Sequence, residues 1–290
     1  MYLNFLGELL MEIITRTVYG AALQTAQLTG KPFTLVTNST LNEKLSVLTG
    51  PTIAPQEYPR LQYVCIGNGG HGIRSGGSGM SVPVPLQHRT SDAAPYNIIP
   101  FAIRHIDNDL TNVERARYAL RRTETHSGEN YFAYYLRRLP VTASSVVMNH
   151  KTVVGANTTV TPFIPTAANL SPTPPDIASS GSTVTTGDYL TATLQVAFDL
   201  DSFDIQEILN ACNLIYGDDD FAIISEIGLC SGLERTITTT GTGGSTINFD
   251  EVAACQIHTH VSSFHALKFT MGGVNTTFDI GATEPLLITP

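Results

Sequence analysis

The chain has 290 residues, 42% of them apolar and only 14% charged, with 37 Thr and 19 Ser carrying most of its polarity. This composition excludes wholesale disorder, collagen, coiled coils and small disulfide scaffolds. The net charge of −9 is segregated: residues 1–151 hold 14 basic against 10 acidic side chains, and residues 152–290 hold 2 against 15, which argues against a whole-chain nucleic-acid binder.

In chain order, the opening MYLNFLGELLMEII lacks the basic start and small-residue cleavage site of a signal peptide, and Met11 is an alternative start. No run of 18 apolar residues is present, so no membrane span is expected. The first fifty residues read as two helices. One covers Glu12–Thr29, on the helical spacing of Ile14, Val18, Ala21 and Ala22, and stops at Gly30 and Pro32. The other opens on a capping box, Thr40 to Glu43, and stops at Gly50-Pro51. Leu61–Ile66 reads as a buried strand leading into a glycine-rich loop, 67–79, with seven glycines. A third helix is expected at Thr111–Arg122 from the capping box Thr111-x-x-Glu114, and an aromatic strand at Tyr131–Leu139.

From Val141 the texture turns to Thr, Val, Ser and Pro, with an extended connector expected over 161–187. Between Tyr189 and Leu200 apolar and polar residues alternate, the pattern of a half-buried antiparallel strand of roughly 40 Å. A helix follows near 202–216, capped by Asp201 or Ser202 and ended by Gly217. Strands are expected at Phe221–Leu229, Val252–Val261, Ala266–Thr270 and Thr276–Ile280. The fold class is therefore α+β, mainly antiparallel β. Its helices are expected at the N-terminal side, and its C-terminal half is expected to resemble a sandwich. The division is into 1–140 and 141–290, or one interleaved domain.

Few residues suggest chemistry. Gly67-Asn-Gly-Gly-His-Gly72 matches a dinucleotide fingerprint, but Pro83 and Pro85 leave no room for the helix that motif requires, and a flexible loop is the better reading. His258 and His260 alternate in a strand with Gln256 and Ser262, making them weak metal-ligand candidates, with His265 as a third. Asp218, Asp219 and Asp220 lack calcium-loop spacing and read as a solvated turn. Cys65, Cys212, Cys230 and Cys255 show no CxxC spacing and read as buried hydrophobes in a reducing compartment. No nucleophile is paired with a base, so no catalytic residue, cofactor or enzymatic activity is expected. Seven of the 16 basic residues fall between Arg104 and Arg138. Arg115, Arg117, Arg121 and Arg122 are placed on the third helix and Arg137 and Arg138 on the next strand, as an interface to the acidic half of another subunit. Tyr131, Tyr134 and Tyr135 are the one dense aromatic cluster that could serve a host-glycan-binding sandwich.

Several blocks form a recognisable set: LNEKLSVLTG (41–50), YVCIGNGGHG (63–72), DLTNVERARYALRRTETHSGENYFAYYLRRL (109–139), IYGDDDFAIISEIGLCSG (215–232) and GATEPLL (281–287). Together they resemble an uncharacterised family of virion structural proteins of tailed bacteriophages, over nearly the whole chain. The resemblance implies a place in the tail, baseplate or neck, assembly in the host cytoplasm, and contacts with copies of itself and neighbouring virion proteins. It implies neither a membrane nor direct nucleic-acid binding. The alternatives are the glycan-binding module and a nucleotide- or metal-dependent enzyme.

Overall fold

The computed structural model describes residues 12–36, 40–47, 52–141, 145–172, 187–270 and 273–286. The chain is mainly antiparallel β, and it forms two compact units, 1–139 with 200–274 and 140–199 with 275–290. The chain thus leaves the first unit after Leu139 and returns at Leu200. The region expected as one block over 141–290 is divided, because its longest strands complete the sheet begun by the N-terminal part and its helix packs against that sheet.

The first unit holds an eight-stranded sheet. Its strands are β1 (Ile13–Arg16), β2 (Arg60–Gly67), β5 (Ile98–Ile99), β6 (Ala102–His105), β7 (Tyr118–His126), β8 (Glu129–Arg138), β12 (Ile223–Thr240) and β13 (Thr246–Ala266). The order is β1-β13-β12-β2-β8-β6, with β5 on β2 and β7 on β8. A separate hairpin joins β3 (His71–Ser75) to β4 (Ser81–Pro85). The helices are α1 (Val18–Thr29), α2 (Thr40–Leu45), α3 (Asn112–Arg115) and α4 (Ser202–Tyr216), so the longest lies in the second half.

Several local expectations are corrected. Residues 13–16 form a strand against β13, and α1 begins only after Thr17, whose side-chain oxygen accepts from Gly20 N. Ile14 and Val18, read as a helical face, are exposed. The Thr111–Glu114 capping box is present, yet its helix ends after one turn, and 118–126 is strand. The aromatic partners supplied by β8, among them Tyr131, Phe132 and Tyr134, outweigh the helix propensity of the intervening arginines. Arg121 and Arg122 therefore sit on a strand. By contrast, α4 has the expected limits, an Asp201–Asp204 capping box and Gly217 in the left-handed conformation. The expected end of the second helix at Gly50-Pro51 and most of the 161–187 connector lie outside the described residues.

The dominant element is the hairpin of β12 and β13, whose strands have 18 and 21 residues. Three register shifts each leave one more residue on β13 than on β12, which accounts for the difference of three. Such bulges bend a strand and reset its side-chain phase. One of them carries Ala254 at φ 53. The strand expected at Ala266–Thr270 is instead the end of β13 followed by a 3-10 turn. Tyr63, Cys65, Leu120, Leu136, Val252 and Ile257 join one core cluster with Leu41 and Val47. All four cysteines are buried free thiols, and burial pushes the Cys212 thiol up to about 12.

The second unit holds a four-stranded sheet, β10-β9-β11-β14, built from β9 (Val147–Val154), β10 (Asn157–Pro162), β11 (Asp188–Leu200) and β14 (Val274–Pro285). The alternating strand expected at 189–200 is β11. Phe198 and Phe278 stack with centroids 6.1 Å apart.

Candidate functional site

A buried polar cluster surrounds Glu226, a carboxylate flanked by Ile224, Ile227 and Leu229 in β12. Glu226 is fully buried. Oε1 accepts from Tyr96 N at 2.6 Å and lies 2.9 Å from His88 Nε2, while Oε2 accepts from Gly69 N at 3.0 Å and Asn97 N at 3.3 Å. The other nitrogen of His88, Nδ1, meets Asp92 at 3.2 Å. The His88 ring lies between Tyr96 and His260, at centroid distances of 4.2 and 3.8 Å.

This centre explains the glycine motif. A Cβ on Gly67 would lie 2.6 Å from Glu226 Oε2, and one on Gly70 would lie 2.2 Å from Glu226 Cγ and 2.7 Å from the Ser225 carbonyl. The glycines let backbone N–H groups reach a buried carboxylate of the same chain. Residues 67–75 run from one strand into another, and the tract makes no helix N-terminus for a pyrophosphate. Gly70→Ala is expected to cost about 1–3 kcal/mol through overpacking. Gly77→Ala, with no atom within 4 Å of the new Cβ, should stay within about 0.5 kcal/mol of the parent. Thermal melts of both variants check this, and equal losses would refute it.

The two candidate metal histidines have different neighbours. His258 is the extra residue of a bulge, since Cys230 pairs with Ile257 and Leu229 with Thr259. Its ring packs under Gly20 of α1, and Nδ1 lies 2.8 Å from Thr259 Oγ1. His260 instead stacks on His88 and places Nε2 3.1 Å from the Asp92 carbonyl. Thus the alternation from which a shared metal face was inferred is interrupted at His258. Among the described residues, the one group of three side chains close enough to share an ion is Asp218, Asp219 and Asp220. There Lys268 Nζ sits 2.8 Å from Asp219 and 2.6 Å from Asp220, so an ammonium already occupies two of the three carboxylates.

Burial and the neighbouring His88 depress the His260 imidazole to about 4. Below its ordinary value near 6.5, the unfolded chain takes up a proton that the folded chain refuses until about pH 4. Stability is therefore lost on acidification through that window. The expected loss from this residue between pH 7 and pH 5 is about 2 kcal/mol. His260→Gln should flatten that part of a stability–pH curve measured by urea unfolding, and an unchanged slope would refute the assignment.

The arginine-rich segment also turns inward. Asp109, with no exposed side-chain surface, lies 3.1 Å from both Arg115 Nη2 and Arg121 Nη1 and accepts from the Tyr134 hydroxyl. Arg117 and Arg137 converge on Asp204 Oδ2 at 2.7 and 2.6 Å, and Arg104 Nε donates to Glu207 at 2.8 Å. Asp204 and Glu207 stand in the first two turns of α4, where the helix dipole favours negative charge. Glu207 is held above the usual carboxylate range by burial, against the opposing pull of Arg104. Arg122 pairs with Glu251 at 2.8 Å and Arg138 with Glu234 at 2.7 Å.

Five of these seven arginines thus meet acids from residues 204–251 of their own chain, and the other two meet Asp109. The expected interface of Arg115, Arg117, Arg121, Arg122, Arg137 and Arg138 is corrected to an internal ion-pair network, because each charge finds its counter-ion as the sheet closes. Reversing Arg121 and Arg122 to Glu, which the sequence suggests would leave a soluble but unincorporated subunit, would instead set carboxylates against Asp109 and Glu251.

Other candidates resolve similarly. Tyr134 and Tyr135 are buried and Tyr131 is half-buried, so the cluster forms no exposed platform for a sugar. An open groove of about 420 Å³ runs between α3 and the start of β13, lined by Asn112, Arg115, Arg138, Asn248 and Asp250. Its arginines are engaged internally: Arg115 Nη2 donates to the Leu110 carbonyl at 2.7 Å, and Arg138 Nη2 to the Asp250 carbonyl at 2.7 Å. No helix of the described residues is long and apolar enough to cross a membrane.

Sequence reasoning missed Asp109, His88 and Glu226. For Glu226 a signal existed, an acid flanked by the apolar residues Ile223, Ile224, Ile227 and Leu229, which must be paired if buried.

These features define a mainly antiparallel β protein with α4 against its sheet, whose clustered arginines pair with acids of their own chain. The chain belongs to a family of unknown function, DUF7208, whose profile matches residues 8–290. No curated protein and no solved structure matches it.

Proposed function

We propose that the chain is a structural subunit of a tailed-phage virion, in the tail, baseplate or neck, acting by assembly with its own copies and neighbouring virion proteins. The observation that carries this reading is the surface of the second unit. Between residues 146 and 170, Val146, Val147, Met148, Val154, Val160, Ile164 and Leu170 are all exposed, with Val154 at 69% and Ile164 at 71%. A monomeric surface rarely gathers so many large apolar side chains in so short a stretch, whereas a subunit enclosed by other protein buries them. The Thr- and Ser-rich surface suits the same role, since hydroxyls cost less to desolvate than charges.

The internal pairing of the arginines favours apolar and main-chain contacts over charge pairing between subunits, and it removes the cationic face that direct nucleic-acid binding needs. The reading is of a non-enzymatic protein without a cofactor, since the cluster of titratable groups around Glu226 is engaged by backbone N–H groups of its own chain. Mass spectrometry of washed particles, followed by separation of heads from tails, tests it. The chain is expected in particles and in the tail fraction. Its presence in the lysate but absence from particles would overturn the reading.

A further inference from the structure

Among the described residues, β10 has β9 on one side and no strand on the other. Its six residues, Asn157-Thr-Thr-Val-Thr-Pro162, are all exposed and carry no charge. Edge strands are usually protected by charge, proline or a bulge, and β10 has only its terminal proline. The opposite edge, β14, carries Asp279, Glu284 and Pro285.

The direction of the β10 backbone groups follows from its hairpin. The loop is the two residues Gly155-Ala156, with Gly155 at φ 60, and the ladder closes at Val154–Asn157. A two-residue loop of this kind makes its closing pair hydrogen-bonded, and such pairs then alternate along the ladder. Phe163 N donates to the Met148 carbonyl at 2.9 Å, which fixes the phase at the far end. The hydrogen-bonded pairs are therefore Val154–Asn157, Thr152–Thr159, His150–Thr161 and Met148–Phe163. Thr158 and Val160 consequently turn their N–H and C=O groups to the open edge.

These two residues flank Thr159 symmetrically. An antiparallel copy related by a twofold axis at Thr159 sets Thr158 against the copy's Val160, and Val160 against the copy's Thr158. Each pair exchanges both main-chain bonds, and Thr159 faces itself in a non-hydrogen-bonded pair. A twofold places like against like, so a charged strand would repel its copy, whereas the Thr–Thr pair at the centre is favourable.

We infer that β10 is a self-association edge: two copies join through antiparallel β10–β10 pairing, which fuses their four-stranded sheets into one of eight strands. The inference deepens the assembly reading by naming a partner and a contact, and rests on that reading only for its place in a particle. A six-residue edge is small beside a standard stable interface, so the free chain associates weakly and reversibly.

Sedimentation of the full chain over a concentration series tests it. The expected result is a reversible monomer–dimer equilibrium. Thr159→Lys, which sets two ammonium groups face to face, should weaken it by roughly tenfold or more. An equimolar mixture of Thr159→Lys and Thr159→Glu should restore it, with circular dichroism confirming that both variants are folded. Thr159→Cys should form an interchain disulfide on mild oxidation, because a non-hydrogen-bonded pair brings Cα atoms to about 4.5 Å. Thr158→Cys should not, since it faces Val160. A chain that stays monomeric, or a dimer indifferent to Thr159→Lys, would overturn the pairing. A dimer missing from particles would overturn the virion reading alone, and a monomer present in particles would overturn the pairing alone.

Discussion

Asp109→Ala is expected to destabilise the first unit by about 3–5 kcal/mol, the range for removing one partner of a buried ion pair. The carboxylate is fully enclosed and serves Arg115, Arg121 and the Tyr134 hydroxyl. Arg121 has little alternative, since its guanidinium stacks 4.1 Å from the centre of the Phe132 ring and its side chain is 5% exposed. Without Asp109 it keeps a full charge in a site that water does not reach, with only Thr239 Oγ1 and the Thr240 carbonyl as acceptors. A loss of this size lowers Tm by about 10 °C in a unit of this length. The chain has no tryptophan, so far-ultraviolet circular dichroism or calorimetry is the suitable measurement. Arg235→Ala is the control. Its pair with Glu57 is about one-third exposed on each side, and such pairs contribute about 0.2–1 kcal/mol. If Asp109→Ala costs no more than Arg235→Ala, the network is not a stabilising core. The Arg121/Arg122 reversal should yield no folded protein, so its failure to enter particles would say nothing about interfaces.

Glu226→Gln should produce the second large loss, about 2–5 kcal/mol, although the side chain keeps its shape. Four groups converge on the carboxylate, two on each oxygen, and three of them are backbone N–H donors. A carboxamide has one oxygen. Whichever way it is turned, its NH2 group faces at least one backbone N–H and leaves it buried without an acceptor. His88 also loses a charged partner while still wedged between two rings. Hydrogen exchange separates this effect from simple repacking: the amides of Gly69, Tyr96 and Asn97 should exchange faster in Glu226→Gln than expected from global stability. A variant as stable as the parent would mean that Glu226 acts only by filling space.

Legibility in the sequence varied from element to element. The alternating strand at 189–200 and the helix at 202–216 were readable to within a residue, because each carries a strong period and explicit end signals. The one-turn α3 was overextended, since a genuine capping box opens it but nothing local announces that β8 will take up 118–126. The β12–β13 hairpin was underestimated because Gly228, Gly232, Ser225, Ser231 and Glu226 weaken the strand signal. Each has its reason in a contact from elsewhere; a Cβ on Gly228 would meet Cys65 Sγ at 2.6 Å. The arginines are visible as a cluster, with Arg115 on its helix and Arg137 and Arg138 on their strand as expected, but Arg121 and Arg122 lie on β7 and the cluster pairs with acids of its own chain.

The amino-acid order alone settles the class of the protein, mainly antiparallel β with a few capped helices, and the imbalance of charge between its halves. Periodicity and capping act over a few residues, so they can be read from a few residues. Where the charges go is a property of closure. Asp204, Glu207 and Glu251 lie more than sixty residues from the arginines they neutralise, and they come within hydrogen-bonding distance only when α4 packs against β6 and the β12–β13 hairpin joins β2. Closure likewise turns a glycine-rich tract into a cradle for Glu226 and leaves β10 as an open edge.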